Sequence, residues 1–168
     1  MDSESALRRA KRPRSILAGP YGHPVHAAMI TLPIGAWTAS LVFDLVAIFG
    51  SDPEPFVRGA IWLVGIGTVG ALGAMIFGFL DYSTLTAATR VRKIATAHMA
   101  LNLAATGLMI ASFLIRLSSG FDEVSVGGVA CSWIALVLVG GSGALGGELT
   151  YRHGVRVADE DTQRKAYS

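Results

Sequence analysis

Charged residues are scarce in this chain. Asp, Glu, Lys and Arg together make up 15% of its 168 residues, whereas an average soluble domain contains about 25%. Apolar residues reach 52%, and the mean hydropathy is +0.51. This composition leaves too little polar surface to cover a globule in water. It therefore argues against a soluble single-domain enzyme.

Several other features are absent as well. The single cysteine, Cys131, permits no intrachain disulfide and no cysteine-ligated iron–sulfur cluster. A formal net charge of only +2 argues against nucleic acid as a partner. The glycine-rich segments lack the preceding strand and the Lys-Ser/Thr of a phosphate-binding loop, and there is no nucleophile elbow. We therefore expect no catalytic activity of the chain's own.

Long apolar runs dominate what is present. Four stretches have about the 20 residues that a helix needs to cross a bilayer, and they cover residues 27–49, 59–80, 94–115 and 124–147. The connections between them are short, so neighbouring helices should run antiparallel. The predicted fold is an all-α, integral membrane four-helix bundle made of two antiparallel helical hairpins.

Basic residues predict the orientation of this bundle. Twelve of the 14 Lys and Arg residues lie before the first span, in the central loop or after the last span. By the positive-inside rule, both termini should be cytoplasmic. We divide the chain into a basic N-terminal segment, residues 1–19, a four-helix membrane domain, residues 20–157, and a cytoplasmic tail, residues 158–168. The tail is predicted to be disordered because its charges alternate without an apolar period.

The two hairpins resemble each other. An offset of 72 residues aligns the first and third spans, and an offset of 69 aligns the second and fourth. The matched pairs include His26/His98, Gly35/Gly107, Gly78/Gly147 and Tyr82/Tyr151. These matches suggest a tandem duplication, with a pseudo-two-fold axis along the membrane normal. Such an axis would place His26 opposite His98 at the same depth.

Three residues within or beside the apolar spans have structural interpretations. The offset of 72 also matches Asp44 with Arg116. A carboxylate inside a membrane is costly and usually has a partner, so we predict a structural ion pair at the outer rim in preference to a proton relay. Pro33 should kink the first span and free a carbonyl near position 29.

All four histidines fall on the predicted cytoplasmic side. His23 and His26 open the first span, His98 lies about one turn inside the third, and His153 follows the fourth. Asn102 continues the face of His98 one turn later. One interpretation makes these residues interface histidines and helix caps. The other makes them a ligand site, because an imidazole inside an apolar span needs a partner.

Two kinds of ligand suit such a site. His26 and His98 facing each other would bind haem b axially, with His23, His153 and Asn102 beside them. Basic residues available for the haem propionates are Arg90, Arg92, Lys93 and Arg152. Alternatively, a divalent metal such as zinc or iron would suit imidazoles combined with carboxylates. The residues proposed for that metal are His23, His26, His98, Asp81 and Glu148.

Short motifs add a family resemblance. They are the segment Gly22-His23-Pro24-Val25-His26, the segment Gly78-Phe79-Leu80-Asp81, His98 with Asn102, and the ending Gly146-Gly147-Glu148-Leu149-Thr150-Tyr151-Arg152-His153-Gly154-Val155. Over residues 20–157 the chain resembles the bacterial four-helix predicted membrane proteins named domain of unknown function 2231. The resemblance implies a protein of the bacterial cytoplasmic membrane. Fusion of some relatives to a Rieske iron–sulfur domain implies electron transfer.

The chain departs from that family in one detail and contains no Rieske ligands. Members often continue His-Pro-x-His with a second proline, where this chain has Ala27. Any iron–sulfur partner would be a separate polypeptide. The other expected partners are the lipid bilayer and a second copy of the chain. We predict an electron-transfer or redox-accessory subunit that binds haem b or a metal. The alternatives are a cofactor-free structural or assembly subunit and a small metal or proton transporter.

Overall fold

A computed structural model describes residues 2–16, 18–19 and 22–168. The predicted start of the membrane domain, residue 20, lies outside the described residues. The helices are α1 (Ser3–Lys11), α2 (Val25–Met29), α3 (Thr31–Phe49), α4 (Glu54–Tyr82), α5 (Arg90–Ser119), α6 (Val126–Gly147) and α7 (Glu160–Ala166). A π-helical turn, Glu148–Arg152, extends α6. The described residues include no strand.

Four helical segments are long and apolar enough to cross a membrane. They are Val25–Phe49, Glu54–Tyr82, Arg90–Ser119 and Val126–Arg152. This confirms the prediction of an all-α protein with four spans. At about 1.5 Å per residue, α4 and α5 exceed the roughly 30 Å of a hydrocarbon core. Their ends therefore reach the membrane surface on at least one side.

The helices pack in chain order around the bundle. α3 packs on α4 and α5 packs on α6, while α4 contacts α5 and α3 contacts α6. The core between them consists of Trp37, Val64, Ala71, Ala105, Met109 and Ala135. Small residues allow this close approach. At Gly67, an added Cβ would lie 2.5 Å from Cδ1 of Trp37, so only glycine fits beneath that indole.

Buried positions repeat between the two hairpins. At an offset of 72, Trp37/Met109, Ser40/Ser112 and Asp44/Arg116 are all buried, and at an offset of 68 so are Ala60/Gly128, Val64/Ser132 and Ala74/Ser142. The sequence predicted an offset of 69 for the second and fourth spans. Along α6 the buried positions correspond at 68, which is one residue less. The π-helical turn accommodates an extra residue, and the offset becomes 69 within this turn, at Tyr82/Tyr151.

The first span is broken where the sequence predicted a kink. α2 ends at Met29 and α3 begins at Thr31. Pro33 has no N–H to donate to the Met29 carbonyl, so the helix cannot continue unchanged through this turn. The Thr31 hydroxyl donates to the Ala28 carbonyl across the break at 2.7 Å.

The two terminal segments meet at one end of the bundle, which we call the histidine end because it also carries His26 and His98. Ala10, Leu85, Ala95, Leu149 and Val155 form a small apolar cluster there. The backbone N–H of Arg156 donates to the Ala10 carbonyl at 3.0 Å. The N-terminal segment is therefore packed against the membrane domain.

The C-terminal tail, which the sequence predicts to be disordered, is helical over part of its length. It contains α7, whose first turn is capped by the Asp159 carboxylate accepting from the Thr162 N–H at 2.8 Å. Lys11 bonds Glu160 at 2.5 Å and so connects α7 to α1. Acidic residues in the first turn and basic residues in the last turn also suit the helix dipole. Short-range capping and charge thus supply helical order that apolar periodicity does not reveal.

Candidate functional site

Two imidazoles meet inside the bundle at the histidine end. His26, from α2 in the first hairpin, and His98, from α5 in the second, have ring centres 6.4 Å apart. Their ring planes are nearly perpendicular, at 85°. The structure therefore brings together the two histidines that the repeat places opposite each other.

His26 is held by the neighbouring helix α4. Its Nδ1 lies 2.9 Å from the Ala74 carbonyl oxygen. A Cβ added at Gly78 would lie 2.9 Å from the His26 Cε1, so this glycine lets the imidazole lie flat on α4. Because a carbonyl oxygen can only accept, Nδ1 carries the proton and a neutral His26 has its lone pair on Nε2.

His98 is held in the same way by α6. Its Nδ1 lies 2.8 Å from the Ser142 carbonyl oxygen, and a Cβ added at Gly146 would lie 3.2 Å from its Cε1. Ser142 and Gly146 are the equivalents of Ala74 and Gly78 at the offset of 68. Each hairpin thus supplies one imidazole with the same carbonyl partner and the same flanking glycine.

Asn102 gives His98 a side-chain hydrogen-bond partner that His26 lacks. Its amide nitrogen lies 3.1 Å from the His98 Nε2 and 2.6 Å from the Ser142 hydroxyl. At the offset of 72 its counterpart is the apolar Ile30. Consequently His98 has a polar side chain at its second nitrogen that the first hairpin does not offer to His26.

His23 and Asp81 are not part of this pair. Asp81 lies 3.0 Å from the Arg156 Nε. His23 is exposed, and its backbone carbonyl accepts from the Arg156 guanidinium at 3.2 Å. Arg156 therefore draws both the carboxylate and the His23 backbone toward the C-terminal segment.

Glu148 and His153 form a separate group at the same end. Glu148 Oε1 lies 3.4 Å from the His153 Nε2, 3.8 Å from Arg90 and 3.9 Å from Arg152. Within the described ranges, no three His, Cys, Asp or Glu side chains are grouped so that they could hold a metal ion. The set His23, His26, His98, Asp81 and Glu148 therefore does not assemble, because each carboxylate is engaged by guanidinium groups.

The basic residues considered for propionates are placed differently from one another. Arg92 donates to the carbonyls of Tyr82 at 3.1 Å and Leu85 at 2.8 Å, and its guanidinium stacks 3.7 Å from the Tyr82 ring centre. It is thus committed to the loop after α4. Arg90 and Arg152 keep largely exposed side chains.

A buried ion pair occupies the opposite end of the bundle. The two terminal nitrogens of Arg116, Nη1 and Nη2, donate to the Asp44 carboxylate at 2.6 Å, and the two side chains are each 2% exposed. Arg116 Nε also donates to the Ser112 hydroxyl at 3.0 Å, and Ser132 lies 3.3 Å from Nη2. The pair is enclosed by the helices at this end of the bundle.

The four candidate membrane spans and the two paired histidines lie within the part of the chain that one known family covers. A family model described as "Predicted membrane protein (DUF2231)" matches residues 22–159. The chain belongs to the DUF2231 family. No curated protein and no solved structure matches it. The family description carries no activity, so the function of this DUF2231 protein must be argued from its geometry.

Three serines of this DUF2231 protein take part in these sites, although the sequence did not single them out. Ser142 contributes the carbonyl and hydroxyl beside His98, while Ser132 and Ser112 complete the surroundings of Arg116. Their position on the helix is the feature of the sequence that could have revealed them. Ser132 and Ser142 fall on the buried face of α6, where a hydroxyl needs a partner.

Proposed function

We propose that this DUF2231 protein binds haem b between His26 and His98 and acts as an electron-transfer or redox-accessory subunit in the membrane. The observation that carries the proposal is the separation of the two imidazoles. His26 and His98 would each hold the haem iron through one ring nitrogen. The observed separation is 6.4 Å.

The hydrogen bonds of the two rings also suit axial ligands. Metal-bound histidines typically donate their other N–H to a backbone carbonyl or a carboxylate. Here both Nδ1 atoms face helix carbonyls, which leaves Nε2 as the ligand atom in each case. A bound haem would supply reversible one-electron chemistry.

Haem binding between the two imidazoles would require neighbouring side chains to move. The Asn102 amide has to turn away from the His98 Nε2, and the Ser142 hydroxyl at 2.6 Å remains available as its partner. Gly78 and Gly146 put no side chain beside either imidazole. Arg90 and Arg152 are exposed at the same end, where they lie 3.8 and 3.9 Å from Glu148 Oε1, and they would have to leave this carboxylate to approach propionates.

Binding of a divalent metal at the same two histidines has less support than binding of haem. His26 and His98 supply two nitrogen ligands, whereas a structural zinc site uses four ligands and a catalytic site three. No carboxylate joins these imidazoles to complete such a set among the described residues. Haem needs only the two axial ligands from the protein.

A cofactor-free structural or assembly subunit is the second candidate function. It is favoured by the fact that each imidazole bonds a helix of its own hairpin, His26 to α4 and His98 to α6. Both rings then stabilise the packing of the two helices within each hairpin. A transporter is less favoured, because an apolar layer including Trp37 and Met109 separates the histidine end from the ion pair.

We infer the location from the basic residues. The termini and the loop between α4 and α5 lie at the histidine end and hold twelve of the 14 Lys and Arg residues. This asymmetry supports a cytoplasmic histidine end in a bacterial cytoplasmic membrane. Electrons would then be exchanged with a partner on that side, such as a separate iron–sulfur protein.

Absorption spectroscopy tests the proposal. We expect protein purified in detergent from haem-replete cells to show a Soret band that shifts on reduction with dithionite. The band should be lost in His26→Ala and in His98→Ala, because each removes one axial ligand. It should remain in His23→Ala, which removes an exposed histidine of the same segment.

A colourless, fully folded preparation would contradict haem binding. If metal analysis of that sample also finds no stoichiometric metal, both ligand proposals fail. Lower thermal stability of His26→Ala and His98→Ala, in protein without pigment, would instead favour the structural subunit.

A further inference from the structure

A cavity of about 420 Å³ lies between α1 and the end of α4. Its lining residues are Arg8, Arg9, Arg12, Pro13, Arg14, Ser83 and Thr84. The volume falls within the roughly 300–1,000 Å³ of small-molecule sites. Four guanidinium groups and no carboxylate line it, so any ligand that it binds is an anion.

Among the described residues, three of these guanidinium groups have no acidic partner. Arg8 pairs with Glu4, and Arg9 donates to the Thr86 hydroxyl at 2.8 Å. In the part of the chain that the structure describes, no carboxylate lies within ion-pair distance of Arg12 or Arg14.

Asp159 comes nearest to competing for Arg12. Hydrogen bonds from Thr162 are the main reason that the pKa of Asp159 is lowered, and Arg12 contributes only a smaller part. Arg12 and Arg14 are therefore available to a ligand.

The position of the cavity indicates where its ligand comes from. Ser83 directly follows Tyr82, the last residue of the membrane-spanning helix α4, so the cavity opens at the level of the lipid headgroups. Two apolar side chains of the N-terminal segment stay exposed, Leu7 at 42% and Ile16 at 82%. Such side chains beside arginines suit the membrane interface better than bulk water.

We propose that this cavity binds a phosphate group at the membrane surface, with Arg12 and Arg14 as its principal contacts. The guanidinium fork matches two phosphate oxygens at once. Ser83 and Thr84 already donate their hydroxyls to the Leu80 and Asp81 carbonyls at 2.6 and 2.7 Å. These two residues shape the wall, while the arginines supply the donors.

The experiment separates a lipid phosphate from a free one. The full chain is placed in phosphatidylcholine nanodiscs, and binding of added phosphatidylglycerol is measured by native mass spectrometry. In parallel, inorganic phosphate is titrated against the same nanodiscs by calorimetry. We expect the double variant Arg12→Gln/Arg14→Gln to bind the ligand roughly 30-fold more weakly, if each arginine contributes about 1 kcal/mol at an anionic surface.

A matched control distinguishes a site from general positive charge. Arg164→Gln/Lys165→Gln removes two positive charges from the exposed helix α7 at the same end. We expect this control to bind like the unaltered protein, and both variants to keep its melting temperature in phosphatidylcholine.

The outcomes are distinct from those of the haem test. Binding of phosphatidylglycerol alone identifies a lipid site, and binding of inorganic phosphate alone identifies a soluble ligand. Binding of neither, or an equal loss in the control variant, overturns the proposal. None of these results depends on whether a cofactor is bound at His26 and His98.

Discussion

Removing one charge of the Asp44–Arg116 pair is the sharpest test of how this bundle is held together. Asp44→Asn keeps the size of the side chain but removes its charge. Arg116 would then remain 2% exposed inside the bundle, and its charge would face only neutral partners, the amide oxygen introduced at position 44 and the hydroxyls of Ser112 and Ser132.

The contact geometry sets the size of the effect. With two hydrogen bonds of 2.6 Å, the charge centres lie roughly 4 Å apart, which corresponds to about 4 kcal/mol at an effective dielectric constant near 20. Breaking a buried pair by removing one partner costs about 3–5 kcal/mol in proteins. We expect Asp44→Asn to lower the free energy of unfolding by this amount.

The double variant Asp44→Leu/Arg116→Met provides the decisive comparison. It removes both charges together and fills the space with apolar atoms. Replacing a buried ion pair by well-packed apolar side chains is often neutral or stabilising by about 1–4 kcal/mol. We therefore expect the double variant to be at least as stable as the unaltered protein, although the single variant is not.

Titration with sodium dodecyl sulfate in mixed micelles provides the measurement, with the fluorescence of the three tryptophans as the signal. Asp52→Asn, which removes an exposed carboxylate from the loop after α3, should change the free energy of unfolding by less than about 0.5 kcal/mol. The reasoning is refuted if Asp44→Asn is as mild as this control, or if the double variant is as unstable as the single one.

Two further predictions concern packing and the tail. Gly67→Ala should cost about 1–3 kcal/mol of stability in the same titration because its methyl group would overlap the Trp37 indole, whereas Gly140→Ala, which meets nothing within 4 Å, should be neutral or slightly stabilising. The bond from Lys11 is the main reason that the pKa of Glu160 is lowered from its ordinary 4.5. Attachment of α7 should therefore be complete above pH 4.5 and be lost as the pH falls through the lowered value. A spin label at Gln163 should become mobile on acidification, and should be mobile at every pH in Lys11→Gln; an immobile label in that variant would contradict the role of this bond.

The spans were predictable because they depend on composition over some 20 residues, and the four helices follow the apolar runs closely. The scarcity of charge also left only Arg58 and Arg116 as basic partners for Asp44 near the same end, and the offset of 72 favoured Arg116. Single contacts were harder to infer. Nothing periodic marks Arg156, whose backbone adopts a positive φ of 60° and whose guanidinium reaches Asp81 and the His23 carbonyl. The π-helical turn, which changes the repeat offset by one, is likewise invisible in a pattern of apolar residues.

The equivalence of Asp44 and Arg116 has a consequence for the origin of the bundle. Positions that correspond at an offset of 72 and touch each other lie next to the pseudo-two-fold axis, as His26 and His98 also do. A dimer of identical hairpins would place the same residue on both sides of that axis, two histidines at one end but two carboxylates or two guanidinium groups at the other. Such a homodimer can form the histidine pair but never this ion pair. Opposite charges facing each other across the axis require two hairpins of different sequence, and this chain supplies both in one polypeptide.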